Sequence, residues 1–127
     1  MDPEEASRLC QQAARLIAER QGVEHELMGR DPLLRGSLLE RPKFCGKAGC
    51  KCTRGEAHPP SLYLGRLEGR TPRQIFLRAR DHPRARREAL AYKEFRGALR
   101  RWRAIGKELN GLWEALGEVR EESYPFE

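Results

Sequence analysis

Four metal-ligating side chains crowd into one short stretch of this chain, and they constrain its fold more than any other feature. Cys45, Cys50, Cys52 and His58 fall within the 14 residues of "CGKAGCKCTRGEAH". Zinc prefers four sulfur or nitrogen ligands in a tetrahedron, and a structural zinc site fills all four positions with protein side chains. The stretch therefore predicts a structural zinc site made of three thiolates and one imidazole.

Glycines near the cysteines suit a chain that must turn back on itself twice within residues 43–58, the segment we call the knuckle. Gly46 and Gly49 allow a tight turn after the first cysteine, and Gly55 allows a second turn before the histidine. The second and third cysteines are two residues apart. In an extended segment, their side chains would point the same way. The local backbone is therefore expected to bring the four ligands together.

Two alternative roles for the cysteines remain open from the sequence. Small thiols also serve as ordinary core residues. A disulfide or a redox use is the second alternative. The spacing of the cysteines matches neither the paired-CxxC zinc finger nor a thioredoxin-type motif. Cys10 lies near Leu9 and Ala13 on the apolar side of the first predicted helix, so it is expected to be a core residue rather than a ligand.

The composition explains why a bound metal would matter for folding. Leu, Ile, Val and Phe together number 25 of 127 residues, near the lower limit at which a chain can build a hydrophobic core. Charged residues make up 35% of the chain, against about 25% in typical globular domains. We therefore expect one domain over residues 1–127, with a thin core that depends on a metal ion, a partner chain or both.

The apolar pattern predicts an α+β fold with a helical arm at each end. The N-terminal arm is expected over residues 1–30, because Asp2 can cap it and Pro3 suits its first position. Asp31-Pro32 is expected to end this helix. The fold would then continue with a small antiparallel sheet and finish with a long C-terminal helix or a helical hairpin.

A two- or three-stranded antiparallel sheet is predicted over residues 33–80, together with the knuckle. The segments "SLYLGRL" and "RQIFLRA" flank Glu68-Gly69-Arg70, which suits a hairpin turn. The segment "GSLLER" could supply a third strand. Side chains alternate between the two sides of a strand. Leu62 and Leu64 would therefore share one face of the first strand, and Ile75 and Leu77 would share one face of the second.

The second helical arm is predicted over residues 81–121, followed by a frayed tail at residues 122–127. Apolar residues in this arm step by alternating three and four positions, which is the spacing of one helical face. Asn110-Gly111 could divide the arm into two helices. We expect the stripe to pack helices together or to form a homodimer. It consists of Tyr92, Phe95, Leu99, Trp102, Leu109, Trp113 and Leu116, and is widened by Ala98, Ile105, Leu112 and Val119.

Positive charge is unevenly distributed, with residues 73–103 carrying +8 and the whole chain +6. Arginine outnumbers lysine by 20 to 5, and the planar guanidinium group matches phosphate oxygens in pairs. Basic clusters on both sides of the hairpin therefore favour a nucleic acid, DNA or RNA, as the partner. A solvated helix face is the alternative. The candidate phosphate-binding residues are Lys43, Lys47, Lys51, Arg54, Arg73, Arg78, Arg80, Arg84, Arg87, Arg96, Arg100 and Arg103.

The remaining motifs favour binding over catalysis. Phe44, Tyr63 and Phe76 could stack on bases, and packing on a sheet face would explain them equally well. The sequence contains no recognisable catalytic constellation, no phosphate-binding glycine loop and no helix-turn-helix motif. We therefore expect a non-catalytic nucleic-acid-binding accessory protein. The alternative is a protein-interaction module that dimerises or docks a partner through its C-terminal helix.

The termini and composition also predict where such a chain works. No apolar run approaches the roughly 18 residues of a membrane span, and the start "MDPEEASRLC" lacks the positive flank of a signal peptide. We expect a cytoplasmic protein without a membrane partner, in which clustered cysteines more often bind metal. The high charge and the single asparagine suit a thermophile. A GC-rich genome would produce the same excess of arginine.

Residues 33–80 resemble an uncharacterised family of short bacterial and archaeal proteins. The similar segment reads "LLRGSLLERPKFCGKAGCKCTRGEAHPPSLYLGRLEGRTPRQIFL". Members of that family have a Gly-Ser strand, a CGKxxCxCxxGxxH knuckle, a Tyr-rich hairpin and a helical tail, and some are similar to, or encoded beside, transposase-like genes. This chain departs from the pattern at Pro59, where glycine is usual, and at Ser61-Leu62, where aromatic residues are common. The resemblance implies an ordered knuckle and a mobile-element context, and it implies no enzymatic activity.

Overall fold

The α+β prediction is confirmed by a computed structural model that describes residues 1–56 and 58–123. Within these residues, an N-terminal helix is followed by a three-stranded antiparallel sheet and one long C-terminal helix. The last four residues of the predicted frayed tail, 124–127, lie outside the described residues. The elements are α1 (Pro3–Leu27), β1 (Ser37–Lys43), β2 (His58–Glu68), β3 (Thr71–Leu77) and α2 (His82–Arg120), with 3-10 turns at Lys51–Arg54 and Ala79–Asp81.

The chain divides into two compact units, and α2 contributes residues to both of them. The helical unit comprises Met1–Arg30 and Phe95–Glu127. The knuckle unit comprises Asp31–Glu94. The expectation that the whole chain is one domain stays a prediction.

Helix α1 begins where the sequence predicts, because Asp2 caps it. One carboxylate oxygen of Asp2 accepts hydrogen bonds from the backbone N–H groups of Glu4, at 3.0 Å, and Glu5, at 3.3 Å. These amides have no partner within the helix itself, so the cap satisfies donors that would otherwise depend on water. Gly22 does not interrupt the helix, which continues to Leu27.

The helical unit is an antiparallel pair of helices joined by polar contacts at several levels. At one end, the amino group of Met1 lies 3.9 Å from the carboxylate of Glu122. Nearer the other end, Trp102 Nε1 donates to a carboxylate oxygen of Glu24 at 3.1 Å. Its core is small and aliphatic, and consists of Ala13, Val23, Ala98, Ile105 and Leu109.

The long-helix alternative holds for α2, which is unbroken over 39 residues despite Asn110-Gly111. Its predicted apolar stripe is covered unevenly: Leu109 is buried, whereas Trp113 is 46% exposed. Ala98 and Ile105 are both buried although the sequence placed them at the margin of the stripe. The other stripe members, Tyr92, Phe95, Leu99, Trp102 and Leu116, are half-buried. No helix in the described parts of the chain combines the length and hydrophobicity needed to cross a membrane.

The sheet of the knuckle unit has the order β1-β2-β3, and its register confirms the predicted alternation. Leu62 lies opposite Leu77, and Leu64 lies opposite Ile75. Leu62 and Leu64 are only 1% and 3% exposed, so their side of the sheet faces the core of the unit. The β2–β3 hairpin turns at Gly69, whose φ of 63° lies in the left-handed region that glycine tolerates best.

The first turns of α2 are joined to the sheet and to the strand that leads into it. The backbone N–H of Leu34 donates to the carbonyl of Glu88 at 3.0 Å. Arg86 pairs with Glu40 of β1 at 2.7 Å. Ala85, which immediately precedes these contacts along the helix, is buried at 5% exposure. These links hold the start of α2 to the rest of the knuckle unit.

Candidate functional site

The four side chains predicted as metal ligands converge in the structure. One ligand atom from each lies within 4.8 Å of the others. The sulfur atoms of Cys45 and Cys52 are 3.6 Å apart, and the sulfur of Cys50 lies 3.3 Å from Nε2 of His58. A tetrahedral ion with metal–sulfur bonds of about 2.3 Å separates its sulfur ligands by about 3.8 Å. The Cys/His cluster, as we call these four residues, could therefore hold a metal ion.

A disulfide and a purely structural core role both fit the geometry of the cysteines less well than a metal site. The cysteines are free thiols, and the 3.6 Å between the sulfurs of Cys45 and Cys52 far exceeds a disulfide bond of about 2.05 Å. Burial alone does not explain the group either, since Cys52 is buried but Cys45 is exposed. Coordination of one ion would explain why these cysteines lie together although they differ in burial.

Cys10 is exposed, so the expectation that it is a core residue is wrong. The face of α1 that packs in the helical unit includes Ala13, Leu16, Val23 and Leu27. With 100° between successive residues of a helix, position 10 is turned about 110° away from the middle of that face. Its sulfur is not part of the Cys/His cluster.

The glycines of the knuckle bend the backbone as predicted. Gly46, Gly49 and Gly55 have φ values of 71°, 76° and 92°, in the left-handed region where a side chain would be strained. The turn between the first two closes with a hydrogen bond from the N–H of Cys50 to the carbonyl of Lys47, at 3.3 Å. These turns reverse the chain before and after the central cysteines.

The predicted reason for the convergence of Cys50 and Cys52 is wrong, although the two side chains do converge. Cys50 is extended, but Cys52 lies inside the 3-10 turn Lys51–Arg54. Thr53 stabilises this turn, because its N–H and its hydroxyl both donate to the carbonyl of Cys50, at 3.0 and 2.6 Å. The turn buries Cys52 at 3% exposure.

The sheet delivers the fourth ligand. His58 is the first residue of β2, and it lies opposite Lys43, the last residue of β1. The register shifts between Arg41 and Lys43, as at a β-bulge. The pairing of the two strands fixes the distance between the ends of the knuckle, so His58 is held near the thiols by backbone hydrogen bonds.

The predicted phosphate-binding residues divide between the two units. Nine lie in the knuckle unit, while Arg96, Arg100 and Arg103 lie in the helical unit. Fifteen Lys and Arg against seven Asp and Glu give the knuckle unit a net charge of +8, whereas the helical unit carries −2. The exposed cations of the knuckle make no ion pair among the described residues, and they are Lys43, Lys47, Lys51 and Arg54.

Two of the predicted phosphate-binding residues already have carboxylate partners. Arg73 lies 3.2 Å from Glu68, and Arg84 lies 2.9 Å from Glu88. The hydrogen bond and the charge of Glu88 raise the pKa of Arg84 above its usual value. These pairs offset part of the positive charge on the hairpin and at the start of α2.

The side of the sheet opposite Leu62 and Leu64 carries a second group of residues, of which the sequence predicted only some. Leu39, Tyr63 and Phe76 lie opposite one another in a single row across the three strands. The rings of Tyr63 and Phe76 are 5.7 Å apart between centroids and inclined at 69°. The guanidinium of Arg41 lies 5.7 Å from the centroid of the Tyr63 ring. We call these four residues the open face.

The sequence identified the two aromatic residues as candidates but missed Leu39 and the position of Arg41 over the Tyr63 ring. Alternation along "GSLLER" puts Leu39 and Arg41 on one side of β1. Only the register of β1 against β2 shows that this is the side of Tyr63. The third aromatic candidate, Phe44, is 62% exposed and lies in the knuckle rather than in the row.

Comparisons with known proteins place this architecture in a family. No curated protein and no solved structure matches the chain. A family model described as "Domain of unknown function (DUF6788)" matches residues 4–87, which include α1, the knuckle, the sheet and the start of α2. Because that match spans about two thirds of the chain, the chain belongs to the DUF6788 family.

Proposed function

We propose that this chain is a non-catalytic nucleic-acid-binding accessory protein whose Cys/His cluster binds a structural zinc ion. The observation that carries the proposal is the coincidence, in one compact unit, of a four-ligand cluster and an excess of positive charge. The unit that contains the cluster carries +8, while the helical unit carries −2. The metal would order the knuckle, and the ordered knuckle would present its cations to phosphate groups.

Zinc is the metal that the donor set favours. Three sulfurs and one imidazole nitrogen are typical ligands of structural zinc, whereas calcium and magnesium take oxygen ligands. Four protein ligands leave no open position for water or substrate, which supports a structural rather than a catalytic ion. Elemental analysis of protein purified without chelator identifies the metal, and it separates zinc from iron, which thiolates also bind.

The cations of the knuckle unit support a polyanionic partner. Fifteen positive residues in a unit of 64 residues repel one another, and such repulsion destabilises a compact state. Phosphates of a nucleic acid would relieve that repulsion and release condensed counterions, which is the main source of affinity in non-specific binding. Lys43, Lys47, Lys51 and Arg54 are the best placed for this role, because they are exposed and lack carboxylate partners in the described part of the chain.

The salt dependence of binding tests the proposal. Affinity for random-sequence DNA and RNA would be measured by fluorescence anisotropy between about 50 and 200 mM salt, and it should fall steeply as salt rises. Changing the four knuckle cations to Gln should reduce the slope of log affinity against log salt by up to about four. Unchanged metal content would show that the variant knuckle is still folded.

A charge-matched variant provides the control. Gln at four exposed cations of the helical unit removes the same charge from the other unit, and should change the slope little. Absence of binding at micromolar protein and about 50 mM salt would contradict the proposal. Equal losses in the two variants would contradict the assignment to the knuckle. The control positions are Arg8, Arg15, Lys107 and Arg120.

A protein-interaction role for α2 remains the second candidate. Trp113 favours it, because this large apolar side chain is 46% exposed on the predicted stripe. Homodimerisation through the helices stays a prediction. A mobile-element context, a cytoplasmic location and a thermophilic source also stay predictions that rest on the sequence.

A further inference from the structure

We infer that the open face of the sheet binds single-stranded nucleic acid by stacking an unpaired base on Phe76. This inference rests on the proposed function, and it adds the class of nucleic acid and the part of the molecule that recognises it. The cations of the knuckle would contact the backbone of any nucleic acid. The open face would distinguish a single strand from a duplex.

The two sides of the sheet differ sharply in exposure. On one side, Leu62 and Leu64 of the central strand are 1% and 3% exposed, and Ile75 of the edge strand β3 is 36% exposed. On the other side, Phe76 of the same edge strand is 57% exposed and Leu39 is 36% exposed. Leu67, which shares the side of Phe76 by alternation, is 55% exposed. An apolar row left open to water in the middle of a sheet is typical of a surface that meets a ligand.

The aromatic pair is arranged for a planar ligand. Tyr63 is half-buried, and its ring meets that of Phe76 at 69° with 5.7 Å between centroids. This near-perpendicular contact is a favourable geometry for two aromatic rings, so Tyr63 is a positioning residue that holds Phe76 in place. More than half of Phe76 remains available for contact with a base. Every base has a flat face, so stacking of this kind requires no particular sequence.

The charges around the row favour an anionic occupant. Arg41 lies on the open face with its guanidinium over Tyr63. Arg78 follows the last residue of β3 in an extended conformation, so alternation puts it on the side of Phe76, one step beyond it. A base on Phe76 would bring its phosphates within reach of these two arginines. The face thus combines an apolar surface with the positive charge that complements a nucleic-acid backbone.

Two other occupants of the open face are less favourable. The positive charge of the knuckle unit disfavours a second copy of the chain, and the exposed ring of Phe76 disfavours a duplex. A second copy of this face would bring together two units that each carry +8, and like charges at an interface are unfavourable. A duplex keeps its bases stacked inside the helix, so it offers phosphates but few free base faces to Phe76. An unpaired strand satisfies both the ring and the arginines.

The test compares three labelled probes on the full chain by fluorescence anisotropy. The probes are an oligothymidylate of about 12 nucleotides, which suits binding sites of this kind, an abasic strand of equal length and charge, and a duplex of equal length. The oligothymidylate should bind at least about fivefold more tightly than the abasic strand, as expected from stacking one base. Phe76→Leu keeps the position apolar but removes the ring, and should abolish that preference while leaving affinity for the abasic strand unchanged.

Leu90→Ala provides the matched control. Leu90 is 55% exposed, almost the same as Phe76, but it lies on α2 rather than on the sheet. Its loss should leave all three affinities unchanged. Equal metal content in wild type and Phe76→Leu shows that the variant has kept its knuckle, and the comparison of probes on the wild type needs no variant.

The contrary results have separate meanings. Equal affinity for oligothymidylate and abasic strand, with a steep salt dependence, overturns base stacking and leaves the proposed function standing. No affinity for any probe overturns both. A change in oligomeric state in Phe76→Leu, with the oligothymidylate preference intact, assigns the face to a protein contact and overturns the inference.

Discussion

The helical unit and the knuckle unit are stabilised in different ways, although both contain few buried apolar residues. The helical unit packs short aliphatic side chains between two helices that form their own backbone hydrogen bonds, and Ile105 and Leu109 are buried there. The fully buried apolar residues described in the knuckle unit are two leucines and two alanines, together with Cys52. Between the strands β1 and β2 of this unit, the backbone of the knuckle does not form the regular hydrogen bonds of an α-helix or a sheet. A metal ion on the Cys/His cluster would supply the cross-links that packing does not.

The two units also differ in net charge, which is +8 in the knuckle unit and −2 in the helical unit. In the helical unit, Arg101 of α2 pairs with Glu26 of α1 at 2.9 Å, and Arg20 lies 4.8 Å from the centroid of the Trp102 ring. These cations contact their own helix pair. In the knuckle, four exposed cations have no such partners among the described residues. Both units contain ion pairs, since Arg86 pairs with Glu40 in the knuckle unit, so the units differ in their excess of positive charge rather than in pairing.

The largest expected effect comes from removing one thiol of the Cys/His cluster. Cys52→Ser should lose most of the bound metal and unfold the knuckle unit, since apparent zinc-binding energies in small zinc domains are on the order of 10 kcal/mol. The helical unit should persist, so far-UV circular dichroism should retain a helical signal. Elemental analysis and thermal melts measure both effects.

Cys10→Ser is the control for the thiol, because Cys10 is exposed and outside the Cys/His cluster. It should leave metal content and melting temperature unchanged. If Cys52→Ser retained as much metal as the wild type, Cys52 would leave the ligand set, and the contrast between the two units would lose its basis.

A smaller effect is expected from the core of the helical unit. Leu109 is 2% exposed, and Leu109→Ala should lower the free energy of unfolding by about 2–5 kcal/mol, because it leaves a cavity. Denaturant titration followed by tryptophan fluorescence measures this loss, since Trp102 packs against the same core. The metal content should not change. A parallel loss of metal would show that the two units do not fold independently.

The smallest effect should be a gain. Gly111 is exposed within α2, and a Cβ added there meets no described atom within 4 Å. Gly111→Ala should therefore raise the free energy of unfolding by about 0.5–1 kcal/mol, because alanine costs less conformational entropy than glycine in a helix.

The same change in the knuckle should have the opposite sign. Gly55 has a φ of 92°, so Gly55→Ala introduces backbone strain and should lower the melting temperature. A gain in stability at both glycines would contradict the conformational explanation. Thermal melts of the two variants beside the wild type measure the difference.

Much of the fold could be predicted because it depends on residues close together in the chain. Asp2 caps α1 through amides two and three residues away, and Gly69 turns a hairpin between adjacent strands. The members of the Cys/His cluster were also predictable, because few residue types bind metal and three cysteines and a histidine lie within 14 residues. The backbone conformation around Cys52 was not predictable in this way. The hydroxyl of Thr53 favours a 3-10 turn where the spacing of the cysteines suggested an extended segment.

The sequence by itself determined the helices, the strands and the four residues that converge in the Cys/His cluster, because caps, turns and alternation act over a few residues. Only the tertiary structure decided which surfaces are covered. Ala98 is fully buried because α1 packs on it, and Phe76 is open because it lies on the side of the sheet away from Leu62 and Leu64. Burial depends on what packs against a face, and the packing element can be distant in the chain, as Arg101 and Glu26 are.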